Sequence, residues 1–254
     1  MKPHPSPWPA LVIQFSPDDG AAFLGQWLTQ HGQPWQLIDT SRGDVIPALT
    51  GFGGVALLGG TMSAYDDFPA RAPVEALIRA AVAQDVPVLG HCLGGQLLAQ
   101  ALGGTVARGP QPEIGWHPVD FNGHPLGHHW FGTPQHPTLM HWHYDALTPP
   151  PGSTLLARSS QCACQAFAMG NLHLGMQFHI EVDRAKVELW LIGCAAEVEA
   201  QQHIGSVQTL AEIRAHIERH LAASQALAAH IYTRWLHQFR RAHATWQQAS
   251  TQHG

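Results

Sequence analysis

The chain predicts an α/β fold: a mostly parallel central sheet flanked by helices, with a helical C-terminal extension. Two patterns carry that reading. Up to residue 102, short apolar runs bounded by turn residues alternate with amphipathic segments, as buried parallel strands separated by helices do. Beyond residue 183 the apolar residues recur at helical spacing. With 45% hydrophobic residues in 254, the chain can also bury a full core.

The runs at 10–15, 35–39, 54–58 and 86–89 are expected strands, and 21–31, 73–84 and 96–102 are expected helices. After Gly103, glycine, proline and histidine become dense. Only short apolar stretches remain there, at 119–121, 139–142, 155–157, 165–168 and 172–178, and these read as strands and loops, partly antiparallel. In the last segment Leu210, Ile213, Ile217, Leu221, Leu227, Ile231, Trp235 and Phe239 are spaced by three, four or six residues. That amphipathic stripe is expected to pack on the sheet. Residues 1–182 are therefore read as one domain and 183–254 as an extension packed on it.

Thirteen Lys and Arg against 18 Asp and Glu give a net charge of −5, which disfavours nucleic acid or an anionic membrane as partner and favours a small substrate. Charged residues make up only 12% of the chain while 19 residues are histidine, so each single histidine carries little information by itself. The four cysteines, at 92, 162, 164 and 194, form no CxxC pair and too sparse a set for a disulfide scaffold. A reducing, cytoplasmic setting is expected, because the N-terminus MKPHPSPWPA lacks the apolar run of a signal peptide and no stretch is long enough to span a membrane.

The most informative stretch is VPVLGHCLGGQ at 86–96. A buried strand runs into a helix through Cys92, with Gly90 two before it and Gly94 two after it. This is the cysteine form of a nucleophile elbow, a turn so sharp that only small neighbours escape a clash. It also puts the thiol at a helix N-terminus, which favours the attacking thiolate. A buried structural cysteine would not need both glycines. A base is offered by LGMQFHIE at 174–181, where a predicted strand ends in His179 and Glu181. Two residues apart in extended backbone, they point the same way, so the carboxylate can orient the imidazole. The strand and turn VALLGGTMS at 55–63 supplies Gly59 and Gly60, and the Gly60 N–H with that of Leu93 could bind an oxyanion.

In this order the three segments resemble the class I, triad-type glutamine amidotransferases, and the stretches EIGW at 113–116 and HWHYD at 141–145 are similar to the amidotransferase domain of GMP synthase. The resemblance covers roughly residues 10 to 182. It implies a flavodoxin-like three-layer fold, Cys92 as nucleophile, His179 as general base and acid, Glu181 as its orienting partner, and Gly60 and Leu93 as the oxyanion hole. It further implies that Gln96, Gly59, His143 and Tyr144 bind substrate, that glutamine is hydrolysed through a γ-glutamyl thioester with release of ammonia, and that neither metal nor organic cofactor takes part. His91 and His143 are expected beside the pocket.

Three positions depart from the family pattern: Thr61 and Ile180 stand where proline is usual, and Tyr144 where glycine is common. A γ-glutamyl peptidase-like hydrolase and a catalytically silent binding homologue are therefore alternatives to the glutaminase. Residues 183–254 contain no phosphate-binding glycine-rich loop, so either a separate synthase partner takes the ammonia or the enzyme simply hydrolyses γ-glutamyl bonds. Cys162 and Cys164 are read as neighbours on one face of a strand, without enough further ligands for a metal. The pairs His128–His129 and His141–His143 are read as loop and surface residues.

Overall fold

Strand β1 (Ala10–Gln14) is buried along its whole length, as a strand covered on both faces must be. It leads through α1 (Ala22–Gln30) to β2 (Trp35–Asp39), β3 (Gly54–Leu57), α2 (Arg71–Ala83), β4 (Val88–His91) and α3 (Leu93–Ala101). The second half runs β5 (Thr105–Pro118), β6 (Asp120–Phe121), α4 (Pro125–Phe131), β7 (Thr138–Thr148), β8 (Thr154–Arg158), β9 (Ala166–Met169) and β10 (His173–Met176). Helices α5 (Arg184–Gly193), α6 (Ala195–Gln201) and α7 (Leu210–Thr251) follow. This computed structural model describes residues 7–132 and 136–251, except the side chains of 240–251.

The central sheet has the order β2-β1-β3-β4-β10-β9-β8-β6. Strands β2, β1, β3, β4 and β10 are parallel, and β9, β8 and β6 are each antiparallel to the strand before them in that order. The period-2 alternation of β1 divides the core. Ala10 and Val12 join Leu24, Trp27 and Leu28 of α1 and the α7 residues Ile231, Trp235 and Phe239 on one face. Leu11 and Ile13 join Val74, Leu77 and Ile78 of α2 and Leu97 and Leu98 of α3 on the other. The C-terminal stripe thus packs on the sheet, closely enough that a Cβ at Gly54 would stand 2.6 Å from Cζ of Phe239.

Strands β5 and β7 form a separate antiparallel ribbon, which covers a third cluster with α5, α6 and the start of α7. The sequence did not predict β5. Gly109, Pro110 and Pro112 interrupt its apolar pattern, and they fall in the irregularity between Arg108 and Glu113 where the ladder loses register. Helix α4 was also not predicted. Strand β10 is shorter than the run at 172–178 suggested, ending at Met176; the Gln177 N–H still reaches the Gln165 carbonyl at 2.8 Å, but the chain then bends, and the His179 N–H goes to Met140 of β7. Among the described residues no helix is long and apolar enough to cross a membrane.

Trp235 joins the tail to the sheet. Its side chain is fully buried, and its Nε1 donates to the Pro87 carbonyl at 3.2 Å. Trp235→Ala is expected to lower the unfolding free energy by about 3–5 kcal/mol, read as a shifted urea midpoint with unchanged slope.

Candidate active site

Where β4 meets α3, Cys92 takes φ 48° and ψ −111°, a conformation that L residues rarely adopt. Close packing explains why the neighbours are glycine. A Cβ on Gly90 would lie 2.6 Å from the Gly94 carbonyl oxygen, and one on Gly94 would lie 2.5 Å from that of Leu57. The Cys92 N–H donates to Met176 O at 2.8 Å and the Gly94 N–H to Leu58 O at 3.0 Å. Between them, the Leu93 N–H has no protein acceptor among the described residues, and neither does that of Gly60. Both residues line the cavity that holds Cys92.

His179 and Glu181 lie beyond the strand rather than at its end. A bridge to β7, His179 N–H to Met140 O at 2.8 Å, fixes the backbone there. The pairing expected of them is still formed, since His179 Nδ1 sits 2.7 Å from Glu181 Oε1 and both side chains are buried. Nε2 of His179 makes no well-formed hydrogen bond among the described residues, and the ring couples to the Cys92 sulfur electrostatically. Burial opposes a charge on this imidazole, but the Glu181 carboxylate and then Cys92 outweigh it and raise His179 to about 10. The His179 ring also packs against Trp190, with centroids 4.8 Å apart.

Lys186, in the first turn of α5, is the member of this network that sequence reasoning missed. Its buried ammonium lies 3.0 Å from Glu181 Oε1, donates to the Gly20 carbonyl at 3.0 Å and pairs with Asp19. Burial would push the Glu181 carboxyl up, yet Lys186 first and His179 second hold it well below the usual range. The one sequence signal was a lysine five residues past Glu181. Gly59 completes the packing, because a Cβ there would collide with the Asp19 carboxylate and stand 2.9 Å from Cε1 of His179.

The cavity measures about 430 Å³ and is lined by Cys92, Gln96, His143, Tyr144 and His179 among others. Gln96 Nε2 donates to Gln177 Oε1 at 3.1 Å, and Gln177 Nε2 donates to the Cys92 sulfur at 3.6 Å. Tyr144 leans towards α6: its hydroxyl donates to Glu197 and accepts from Gln201 at 2.7 Å, while the Arg108 guanidinium lies 4.2 Å above its ring. Thr61 uses the N–H that a proline would lack, donating to Ser16 Oγ at 3.2 Å, and Ile180 is fully buried in the core.

Three expectations need correction. His91 does not line the cavity; it is fully buried with Nδ1 on the Leu57 carbonyl at 3.1 Å, facing Tyr232 on the α7 side of the sheet. His141 and His143 are buried rather than superficial, since β7 turns its alternate side chains inward. Cys162 and Cys164 lie in a loop before β9, not on a strand, where burial pushes the Cys162 thiol up to about 11.

The model of the family described as glutamine amidotransferase class-I matches residues 34–187. A glutamine amidotransferase-like protein of Salmonella typhimurium is 32% identical over 81% of this chain and 88% of its own. A glutamine-hydrolysing GMP synthase of Paraburkholderia phytofirmans is 34% identical over 65% of this chain, which spans only 33% of that enzyme. The crystal structure of a glutamine amidotransferase from Methylobacillus flagellatus superposes with a TM-score of 0.88 at 39% identity, covering 92% of this chain and 96% of that one.

The folded protein binds the His179 proton more tightly than the unfolded chain does. That proton stabilises the fold fully below about pH 6.5, and its contribution is lost as pH rises towards about 10. Urea unfolding from pH 7 to pH 10 is therefore expected to show a steeper loss of stability in the wild type than in His179→Gln.

Proposed function

The chain belongs to the class-I glutamine amidotransferase family, and on that premise we propose that it hydrolyses the glutamine side-chain amide through Cys92, His179 and Glu181. The observation that carries this reading is the strained Cys92 at a helix N-terminus, in one cavity with an imidazole held by a buried carboxylate. Two unused N–H groups, of Gly60 and Leu93, support an oxyanion hole there.

The Cys92 thiolate attacks the γ-carboxamide carbon, and the carbonyl oxygen takes up the displaced electron pair facing the Gly60 and Leu93 N–H groups. His179 passes its proton to the leaving nitrogen, the C–N bond breaks, and ammonia departs from a γ-glutamyl thioester. A water then gives a proton to His179 and attacks the thioester carbon, and the thiolate leaves as glutamate forms. Glu181 holds Nδ1 protonated throughout, so Nε2 is the atom that exchanges protons. Lys186 keeps Glu181 ionised for that task. Gln96 and Tyr144 line the cavity and are assigned to its substrate side, whereas Gly59 is absent from that lining and His143 turns its ring nitrogens to the Asp145 carbonyl and Glu113. The released ammonia is proposed to pass to a separate synthase, in keeping with the GMP synthase relatives.

A second reading, hydrolysis of a γ-glutamyl amide larger than glutamine, is favoured by the cavity itself. At about 430 Å³ it falls in the range that encloses drug-sized ligands, more than one free amino acid fills. Ammonia release from glutamine and amine release from γ-glutamyl dipeptides, compared side by side, separate the two. Cys92→Ala is expected to lower either activity by at least about a thousandfold. Turnover that survives this change removes Cys92 from the mechanism, and a wild type inert towards both substrates sinks the proposal.

A further inference from the structure

A second buried polar cluster lies behind the cavity, where β5 and β7 pair Glu113 with His143. The ligand atoms of Glu113, His141 and His143 all lie within 4.8 Å of one another, and all three residues are buried. His143 Nδ1 is 3.0 Å from the Asp145 carbonyl, an acceptor, so Nδ1 carries the hydrogen. Nε2 of a neutral ring then turns its lone pair towards Glu113 Oε2, itself an acceptor, at 3.1 Å. Two lone pairs at that distance repel, so either a proton shared by the pair or a metal ion must lie between them. No lysine or arginine takes that place, since Glu113 is otherwise bonded only to Ser159 at 2.7 Å and Gln165 at 2.7 Å among the described residues. Both ring nitrogens of His141 are buried without a hydrogen-bond partner among the described residues.

We propose that Glu113, His141 and His143 bind a divalent transition-metal ion of the zinc class. A proton shared by His143 and Glu113 would satisfy that pair but leave the lone pair of His141 buried and unused, whereas one metal ion engages all three. Tetrahedral zinc with such ligands sets donor atoms about 3.4 Å apart, close to the 3.1 Å between Glu113 Oε2 and His143 Nε2. The outer partners are also those of a metal site: a carbonyl fixes the His143 tautomer, and Ser159 and Gln165 hold the carboxylate. The similar trio Asp19, His179 and Glu181 is unsuited, because the Lys186 ammonium already occupies both carboxylates.

The ion would act as a clamp on β7. From that strand Met140 O accepts the His179 N–H at 2.8 Å, and Trp142 O faces the Cys92 sulfur at 3.7 Å. The test uses full-length protein with Cys92→Ala, so that the nucleophile thiol cannot ligate. Metal-free protein is titrated with zinc chloride by calorimetry, and bound metal is measured after gel filtration. About one zinc per chain is expected, with affinity at least tenfold weaker in His141→Ala and in Glu113→Gln, whose unfolding midpoints in chelator show whether each remains folded. Cobalt substitution should give ligand-field bands of nitrogen and oxygen coordination without a thiolate charge-transfer band. Failure of the Cys92→Ala protein to retain stoichiometric zinc, equal affinity in the folded variants, or a thiolate band from Cys162 or Cys164 would each overturn the proposal.

Discussion

The turn at Cys92 constrains the sequence around it more tightly than any other feature. Holding a non-glycine residue at φ 48° costs on the order of 1–3 kcal/mol, so the surrounding structure must leave the chain no relaxed alternative. It does so by packing backbone on backbone. Gly90 abuts Gly94, Gly94 abuts Leu57, and Gly95 abuts Met176, each so closely that a methyl group would displace the neighbouring helix or strand. The adjacent amides of Cys92 and Gly94 are tied to β10 and to the end of β3. One strained residue thereby fixes how three strands and a helix meet, and the Leu93 N–H left free between those two bonds follows from the same arrangement.

Charge is placed with similar economy. Only 12% of residues are charged, yet Asp19, Glu181 and Lys186 are all buried beneath the cavity. A buried carboxylate is tolerable only with a partner, and Glu181 has two: Lys186 on one side and His179 on the other, both meeting Oε1. Because the lysine also holds Asp19 and the Gly20 carbonyl, the loop after β1 is bound to the same network that orients His179. The position of the imidazole therefore depends on α5, although no residue of that helix belongs to the motif that marks the base.

How much of this was legible follows from how local each signal is. The strands of the first half could be read because buried parallel strands are continuous apolar runs, and the elbow because its glycines lie within two residues of Cys92. The His179–Glu181 pairing was legible for the same reason, though through a bend held by β7 and not an extended strand. What stayed hidden depends on contacts between distant segments. Strand β5 lacks a clean alternation, so Glu113 gave no sign that it would sit opposite His143. Lys186 looks like an ordinary residue in the first turn of a helix until the fold brings Asp19 beside it. Tyr144 shows the same limit: composition marks it as bulky, but only the position of α6 reveals that Glu197 and Gln201 draw its hydroxyl to the cavity wall.

The abundance of histidine also gains a physical account at the buried positions. Desolvation holds His91, His141 and His173 below their ordinary range, so at neutral pH they serve as compact polar groups without charge. His179 is the exception, and the difference lies in its neighbours: it alone of these has a carboxylate at hydrogen-bond distance on one nitrogen and a thiol facing the other. Strand β7 lies between these two kinds of histidine. Its buried side chains His141 and His143 face Glu113, while the carbonyls of Met140 and Trp142 touch the His179 amide and the Cys92 sulfur. A displacement of that strand by a few tenths of an ångström would reach both reacting groups at once, which makes the packing behind β7 part of what sets the geometry in front of it.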